Sequence, residues 1–400
     1  MAQRNSNIAR LTAGYLFPEI ARRRQEFSAS HPNAKIISLG VGNTTEPILP
    51  HIANGLVQGA QRLSRTETYM GYMDEGLLEL REQINKVIYA GQFNTDEIFI
   101  SDGSKCDIGR LQWLFGPGAR PVVQDPSYPV YVDGSVLAGA AGAANEYGYD
   151  GIIYMPCVLE NEYFPDLSKI GKESLIYFCS PNNPTGAVST KEQLKMLVEK
   201  ALKTDSIIIF DAAYSEYIRD DALPKTIYAV DGAERCAIEV NSFSKSAGFT
   251  GVRLGWSVVP KALKFSGGES VNADWSRVQS TIFNGASNIA QFGALAALDV
   301  EGQKEIRELT GFYLENAGLI RGALRELGIE CTGGDNSPYI WARFPGENSW
   351  QTFERILEKC HVVSTPGSGF GAAGEGYIRF SAFSHRDNVE EACQRLKTRL

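Results

Sequence analysis

The chain has 400 residues, 43% hydrophobic and 22% charged, with a net charge of −8. This is the composition of a globular protein long enough for two or three domains. The acidic balance excludes a nucleic-acid footprint and offers no attraction to an anionic membrane surface, so any anionic ligand depends on a few placed cations.

The seven cysteines are odd in number and form no C-x-x-C pair, as expected of free thiols in a reducing compartment. With four histidines, no H-x-x-x-H spacing and no cysteine cluster, no metal site is expected. The residues up to Phe17 lack the apolar core of a signal peptide. No run of about 18 apolar residues occurs to span a membrane. A cytoplasmic protein is the expectation. The sequence holds no internal repeat and no low-complexity segment.

In chain order, short apolar runs alternate with helical patterns, the mark of βαβ units and a mostly parallel sheet. Residues 1–45 read as an arm that packs with a smaller C-terminal part or reaches a partner chain. Residues 46–295 read as a large α/β domain. Its first clear strand, Glu97–Ser101, runs through Gly103 into a helix beginning at Ser104 and Lys105. Amide groups at such a helix start can hold a phosphate, although a plain turn with a helix cap fits the same residues. The strand Pro121–Gln124 ends near Tyr128, set among turn residues; it could stack on a planar ring or simply be a surface tyrosine held by prolines.

The strand Leu175–Cys179 leads into Ser180-Pro-Asn-Asn-Pro-Thr-Gly186, then a helix announced by the capping-box pair Thr190 and Gln193. The run Ser206–Phe210 suits a strand covered on both faces. Asp211 follows it, with Tyr214 three residues on. A carboxylate there would be partly buried and needs a partner; a helix cap and a salt bridge to a protonated heterocyclic nitrogen both fit.

The strand Ala237–Val240 opens onto Asn241-Ser242-Phe-Ser244-Lys245-Ser-Ala-Gly248-Phe-Thr-Gly251-Val-Arg253, followed by a strand at Ser257–Val259. A lysine at a strand's end between serines can be desolvated, which frees its amine for Schiff-base chemistry. Ser242, Ser244 and Arg253 can converge on a phosphate, the arginine by its planar fork. From about Val300 the pattern changes: a helix over Ile306–Leu327, strands at Tyr339–Arg343 and Tyr377–Phe380, and a final helix from Asn388. Residues 296–400 therefore read as a smaller α+β domain.

The run S-x-S-K-x-x-G-x-x-G-x-R-x-G-W, with S-P-N-N-P-T-G and the strand-final aspartate, resembles the fold-type-I aminotransferases of the aspartate aminotransferase superfamily. The resemblance implies pyridoxal 5′-phosphate as cofactor and a homodimer with shared sites. By position, it implies that Lys245 carries the cofactor and serves as acid and base, and that Asp211 bonds the ring nitrogen. It sets Asn183 and Tyr214 at the ring's phenolic oxygen and Tyr128 on the ring face. Ser104, Lys105, Ser242, Ser244 and Arg253 surround the phosphate, and Arg379 grips the substrate α-carboxylate.

A narrower resemblance spans nearly the whole chain, through Tyr15–Arg24, Ser38–Pro47, Ser101–Asp107, Phe283–Asn288 and Thr365–Gly371. It is to the branch acting on LL-2,6-diaminopimelate, with glutamate and 2-oxoglutarate as the other pair, on a route to lysine. It implies substrate contacts at Tyr15, Gly42, Lys105, Tyr128, Asn183, Asn284 and Arg379, with Asn284 also near the cofactor. It further implies that Tyr72 reaches the phosphate of a neighbouring subunit and that an acid just after it meets the substrate's distal ammonium. The stretch Gly71–Gly76 is one residue shorter than in that branch, so the acid is Glu75 or Asp74. Asn43 stands where aspartate is commoner. Rival readings are a transaminase for aspartate or aromatic donors, a lyase of the aminocyclopropane-carboxylate synthase type, and a non-catalytic cofactor-binding regulator.

Overall fold

The computed structural model describes residues 1–11, 16–146 and 148–400. Its centre is a seven-stranded sheet in the spatial order Ile98–Ser101, Gly255–Val258, Ala237–Ser242, Ile207–Asp211, Leu175–Cys179, Pro121–Asp125 and Ile153–Pro156. Gly255–Val258 runs antiparallel to both neighbours, and every other pairing is parallel. All strands but Gly255–Val258 thus point the same way, and Ser101, Asp125, Cys179, Asp211 and Ser242 end on one edge.

The continuous apolar runs follow from burial on both faces. Successive side chains alternate between two apolar layers. Ile176, Phe178, Ile208 and Phe210 enter one. Leu175, Tyr177, Ile207, Ile209, Ile238 and Val240 enter the other.

The expected strand Ser257–Val259 begins two residues earlier, at Gly255. A Cβ on Gly255 would meet the Asn241 carbonyl at 2.6 Å and the Gly103 Cα at 2.8 Å, so only glycine can start the strand there. The helix after Thr190 forms as its capping box demands: Gln193 N–H donates to Thr190 Oγ1 and Thr190 N–H to Gln193 Oε1. The long helix expected from Ile306 starts at Val300, because Asp299 caps it by accepting from the Glu301 and Gly302 amides.

A second, antiparallel sheet has four strands in the order Cys331–Gly333, Tyr339–Arg343, Tyr377–Ser381 and Thr365–Pro366. The helix Leu16–Ser30 joins its core through Leu16, Ile20 and Phe27. Ile37–Ser38 pairs with Val362–Val363. The chain then passes over the carboxyl edge of the large sheet at Gly40–Asn43. No helix among the described residues is long and apolar enough to cross a membrane.

Candidate active site

The carboxyl edge of the large sheet forms the floor of a cavity of about 320 Å³, roofed by residues of the second sheet and the arm. Ligands of open α/β sheets bind at such an edge. The cavity gathers Gly42, Ser104, Lys105, Tyr128, Asn183, Asp211, Tyr214, Ser242, Ser244, Lys245, Arg253 and Arg379 from across the chain.

Lys245 sits on a one-turn helix, Phe243–Ser246, that begins where the strand Ala237–Ser242 stops. Ser242 caps that turn, its Oγ accepting from the Ser244 amide at 3.0 Å. The half-buried Lys245 amine donates to the Gly42 carbonyl. Loss of water, and then the Arg379 and Arg253 charges, pull its pKa down from 10.5 to about 7. The amine is therefore a nucleophile near neutral pH.

Asp211 is buried at the end of its strand, where Tyr131 O–H donates to Oδ2 at 2.8 Å and Ala213 N–H to Oδ1 at 3.1 Å. Burial pushes its pKa up, opposed by those two donors. Among the described residues it has no cationic partner within salt-bridge reach. A buried carboxylate in that state suits a cationic ligand atom.

At the opposite corner lies an anion cradle. Gly103 has φ +125° and precedes the helix Ser104–Phe115, and a Cβ there would meet Arg253 Nη2 at 2.5 Å. Arg253 Nη1 donates to Ser244 Oγ at 3.3 Å, and Ser242 Oγ to Ser244 Oγ at 2.9 Å. Helix amides, hydroxyls and a guanidinium together suit a phosphate. The half-buried Tyr128 lines the same cavity, with Lys105 Nζ 5.9 Å from its ring centre.

Arg379 is 1% exposed, so this strand arginine does not face solvent. Its Nη1 donates to Asn183 Oδ1 at 2.7 Å and its Nη2 to the Gly40 carbonyl at 2.6 Å. Its Nε is buried without a partner, and no carboxylate of the described residues pairs with it. A buried guanidinium lacking an anion is costly unless a ligand supplies one.

Three expected residues stand outside this cavity. Tyr72 is 85% exposed and shares a surface hollow with Asn284. A Cβ on Gly285 would meet the Met73 carbonyl at 2.0 Å, so the two loops are locked together. Asn284 therefore belongs with Tyr72 and not with the Lys245 cavity of its own chain. Glu75 pairs with Arg81 at 2.9 Å. Tyr15 lies outside the described residues. Sequence reading missed Tyr131, Tyr339, Phe17, Val41 and Thr250 as lining residues. Tyr339 gave no sequence signal: it shares a sheet face with Arg379 only through the register that pairs Trp341, two residues on, with that arginine.

The family "Aminotransferase class I and II" matches residues 34–396, and the chain belongs to it. Members use pyridoxal 5′-phosphate. The chain is 51% identical over 400 residues to an LL-diaminopimelate aminotransferase of Protochlamydia amoebophila (strain UWE25), covering 99% of this chain and 97% of that one. It is 52% identical over 398 residues to the chloroplastic LL-diaminopimelate aminotransferase of Arabidopsis thaliana, covering 98% and 86%. A solved L,L-diaminopimelate aminotransferase from Chlamydomonas reinhardtii superposes with a TM-score of 0.96 at 55% identity, covering 99% and 98%.

The cavity fits the cofactor. The Asp211 carboxylate, which has no cation beside it among the described residues, suits a protonated ring nitrogen. The cradle of Gly103, Ser242, Ser244 and Arg253 suits the phosphate, and the Lys245 amine suits the aldehyde. The orphaned Arg379 Nε suits a substrate carboxylate.

Proposed function

We propose that the protein is the transaminase that interconverts LL-2,6-diaminopimelate and 2-oxoglutarate with tetrahydrodipicolinate, glutamate and water. The observation that carries the substrate choice is identity above 50% along nearly the whole chain with relatives bearing that name. When bound, pyridoxal phosphate supplies an aldehyde that captures the amino group and a ring that withdraws electrons from the reacting carbon. The chain's own residues do the rest. Asp211 keeps the ring nitrogen protonated, with Tyr131 orienting the carboxylate. Arg379 and Asn183 hold the substrate α-carboxylate, which presents Cα to Lys245. Lys245 Nζ then takes the Cα proton and moves it onward. Its pKa of about 7 leaves a large share of it unprotonated for that task at neutral pH. Both half-reactions share one site, so the kinetics are ping-pong. Glutamate should form from LL-diaminopimelate and 2-oxoglutarate faster than from aspartate or an aromatic donor; the reverse order would reject this substrate choice. Lack of glutamate with every donor would favour the lyase.

The site is completed by a second copy. Tyr72 is 85% exposed and lines a surface hollow apart from the cavity of Lys245, which places it to serve a neighbouring chain. In a homodimer Tyr72, Asn284 and Glu75 would cross together. Mixing K245A with Y72A chains should then restore about a quarter of wild-type activity, since half the dimers are mixed and hold one intact site. No recovery after subunit exchange would reject shared sites. We place the enzyme in the cytoplasm, although its plant relatives are chloroplastic.

The distal pocket must take a second carboxylate from either substrate but an ammonium only from diaminopimelate. Lys105 and Asn284 serve the carboxylate and Glu75 the ammonium. Glu75→Gln should cut kcat/KM for diaminopimelate about ten-fold or more and spare glutamate. Equal losses, as from merely breaking the Glu75–Arg81 pair, would sink this assignment.

A further inference from the structure

We infer that Tyr339 is a positioning residue that couples the carboxylate grip of Arg379 to the hydroxyl of Tyr214. The inference rests on the transaminase reading above. Tyr339 is 1% exposed and opens the strand Tyr339–Arg343, on the same sheet face as Arg379. Its ring centre lies 4.4 Å from the Arg379 guanidinium carbon, and Phe370 supplies a second ring at 4.8 Å. Its hydroxyl is 2.8 Å from that of Tyr214. A Cβ on Gly42 would meet the Tyr339 hydroxyl at 2.5 Å, so a glycine is needed there to leave the hydroxyl its place. One side chain thus touches the group that binds the substrate's carboxylate and the group that faces the cofactor's phenolic oxygen.

Charge bears on the direction of the hydroxyl pair. Burial raises the pKa of both phenols. The Arg379 cation acts against that rise at both, foremost at Tyr339, where the Tyr214 contact also lowers the pKa, whereas the Tyr339 contact raises that of Tyr214 further. Either hydroxyl can donate across the 2.8 Å contact; we take Tyr339 as the donor and Tyr214 as the acceptor, since the Tyr339 ring lies against the Arg379 guanidinium. Tyr214 keeps its own proton for the cofactor, and a donor that itself accepts a hydrogen bond donates more strongly. Arg379 gains in turn: two aromatic faces fix the plane of a guanidinium whose charge no carboxylate of the described chain offsets.

Two variants separate the ring from the hydroxyl. Tyr339→Phe keeps the ring under Arg379 and removes the donor to Tyr214. The phenolic oxygen then carries more charge and holds the proton on the neighbouring Lys245 nitrogen more tightly. The midpoint of the pH titration of lysine-bound cofactor absorbance should rise by about half a unit. KM for the amino donor should stay within about two-fold. Tyr339→Leu removes the ring, and KM for amino donor and keto acceptor should both rise about ten-fold. Melting curves accompany both variants; if the leucine variant fails to fold, the phenylalanine variant decides. A merely structural Tyr339 would lower the melting temperature of Y339F and leave its absorbance midpoint where the wild type has it; that result overturns the coupling. Unchanged KM in a folded Y339L overturns the Arg379 half of it. A wild-type protein with neither lysine-bound absorbance nor amino transfer would instead overturn the reading on which the coupling rests.

Discussion

Replacing Lys245 with alanine should lower turnover by roughly 10⁴-fold or more and abolish the absorbance of lysine-bound cofactor. The substitution removes the amine that anchors the cofactor and the base that moves the Cα proton. No other amine replaces it: Lys105, the other lysine lining the cavity, stands at the start of its helix beside Tyr128. Cofactor affinity should fall less than activity, since the Arg253 and Ser244 cradle and the Asp211 carboxylate remain. Measurable turnover in K245A at a tenth of the wild-type rate would reject Lys245 as the acid and base.

The same lysine leaves a mark on stability that needs no cofactor to read. In the unfolded chain its amine holds a proton up to about 10.5, but in the folded protein only to about 7. Between those values the unfolded chain binds more protons, so stability without cofactor should rise as pH climbs from about 7 to 10.5. Below that window the cost of the buried charge is fully present. Lys245→Met should therefore melt higher than the wild type at neutral pH, and the gap should close toward the upper end of the window. Melting curves of the cofactor-free protein at several pH values check this. A variant that melts lower at every pH would mean that Lys245 carries no such strain.

What could be read in advance follows from how local each signal is. The strands Leu175–Cys179 and Ile207–Asp211 announce themselves because burial on both faces demands unbroken apolar runs, and their polar ends then mark the cavity. Lys245 and Arg253 sit in one short stretch of serines and glycines whose chemistry is visible without a fold. Tyr131 gave no such signal: it looks like any apolar-helix tyrosine until the parallel pairing brings Asp211 within 2.8 Å of its hydroxyl. The strand at Gly255–Val258 was expected, at Ser257–Val259, but its antiparallel direction was not, since direction depends on partners about 15 and 150 residues away in sequence. The neighbourhood of Asn284 was unreadable for a related reason. Only the packing of Gly285 against Met73 shows that it travels with Tyr72. Composition and periodicity describe a residue's own neighbourhood; register and loop packing decide which distant neighbour it meets.

Replacing Arg379 with methionine should lower kcat/KM by about 10² to 10³-fold for diaminopimelate, glutamate and 2-oxoglutarate alike. All three carry the α-carboxylate that the arginine would hold, so the loss cannot discriminate between them. That uniformity separates it from Glu75→Gln, whose effect should fall on diaminopimelate. Lysine should not rescue the site. A guanidinium reaches Asn183 Oδ1 and the Gly40 carbonyl at once and still leaves Nε without a partner. A lysine ammonium is a point charge without that fork. Stability should respond quite differently. The folded protein buries the Arg379 charge with no carboxylate beside it, so a flexible apolar chain of similar length removes a desolvation cost while leaving Asn183 one contact short. The Gly40 carbonyl keeps its bond from Thr365 Oγ1 at 2.6 Å. R379M should therefore melt within a few degrees of the wild type in the absence of ligands, while added 2-oxoglutarate should raise the melting temperature of the wild type only. If R379M loses folding and activity together, Arg379 serves the small sheet's core; if it keeps the ligand-induced shift, the carboxylate is held elsewhere.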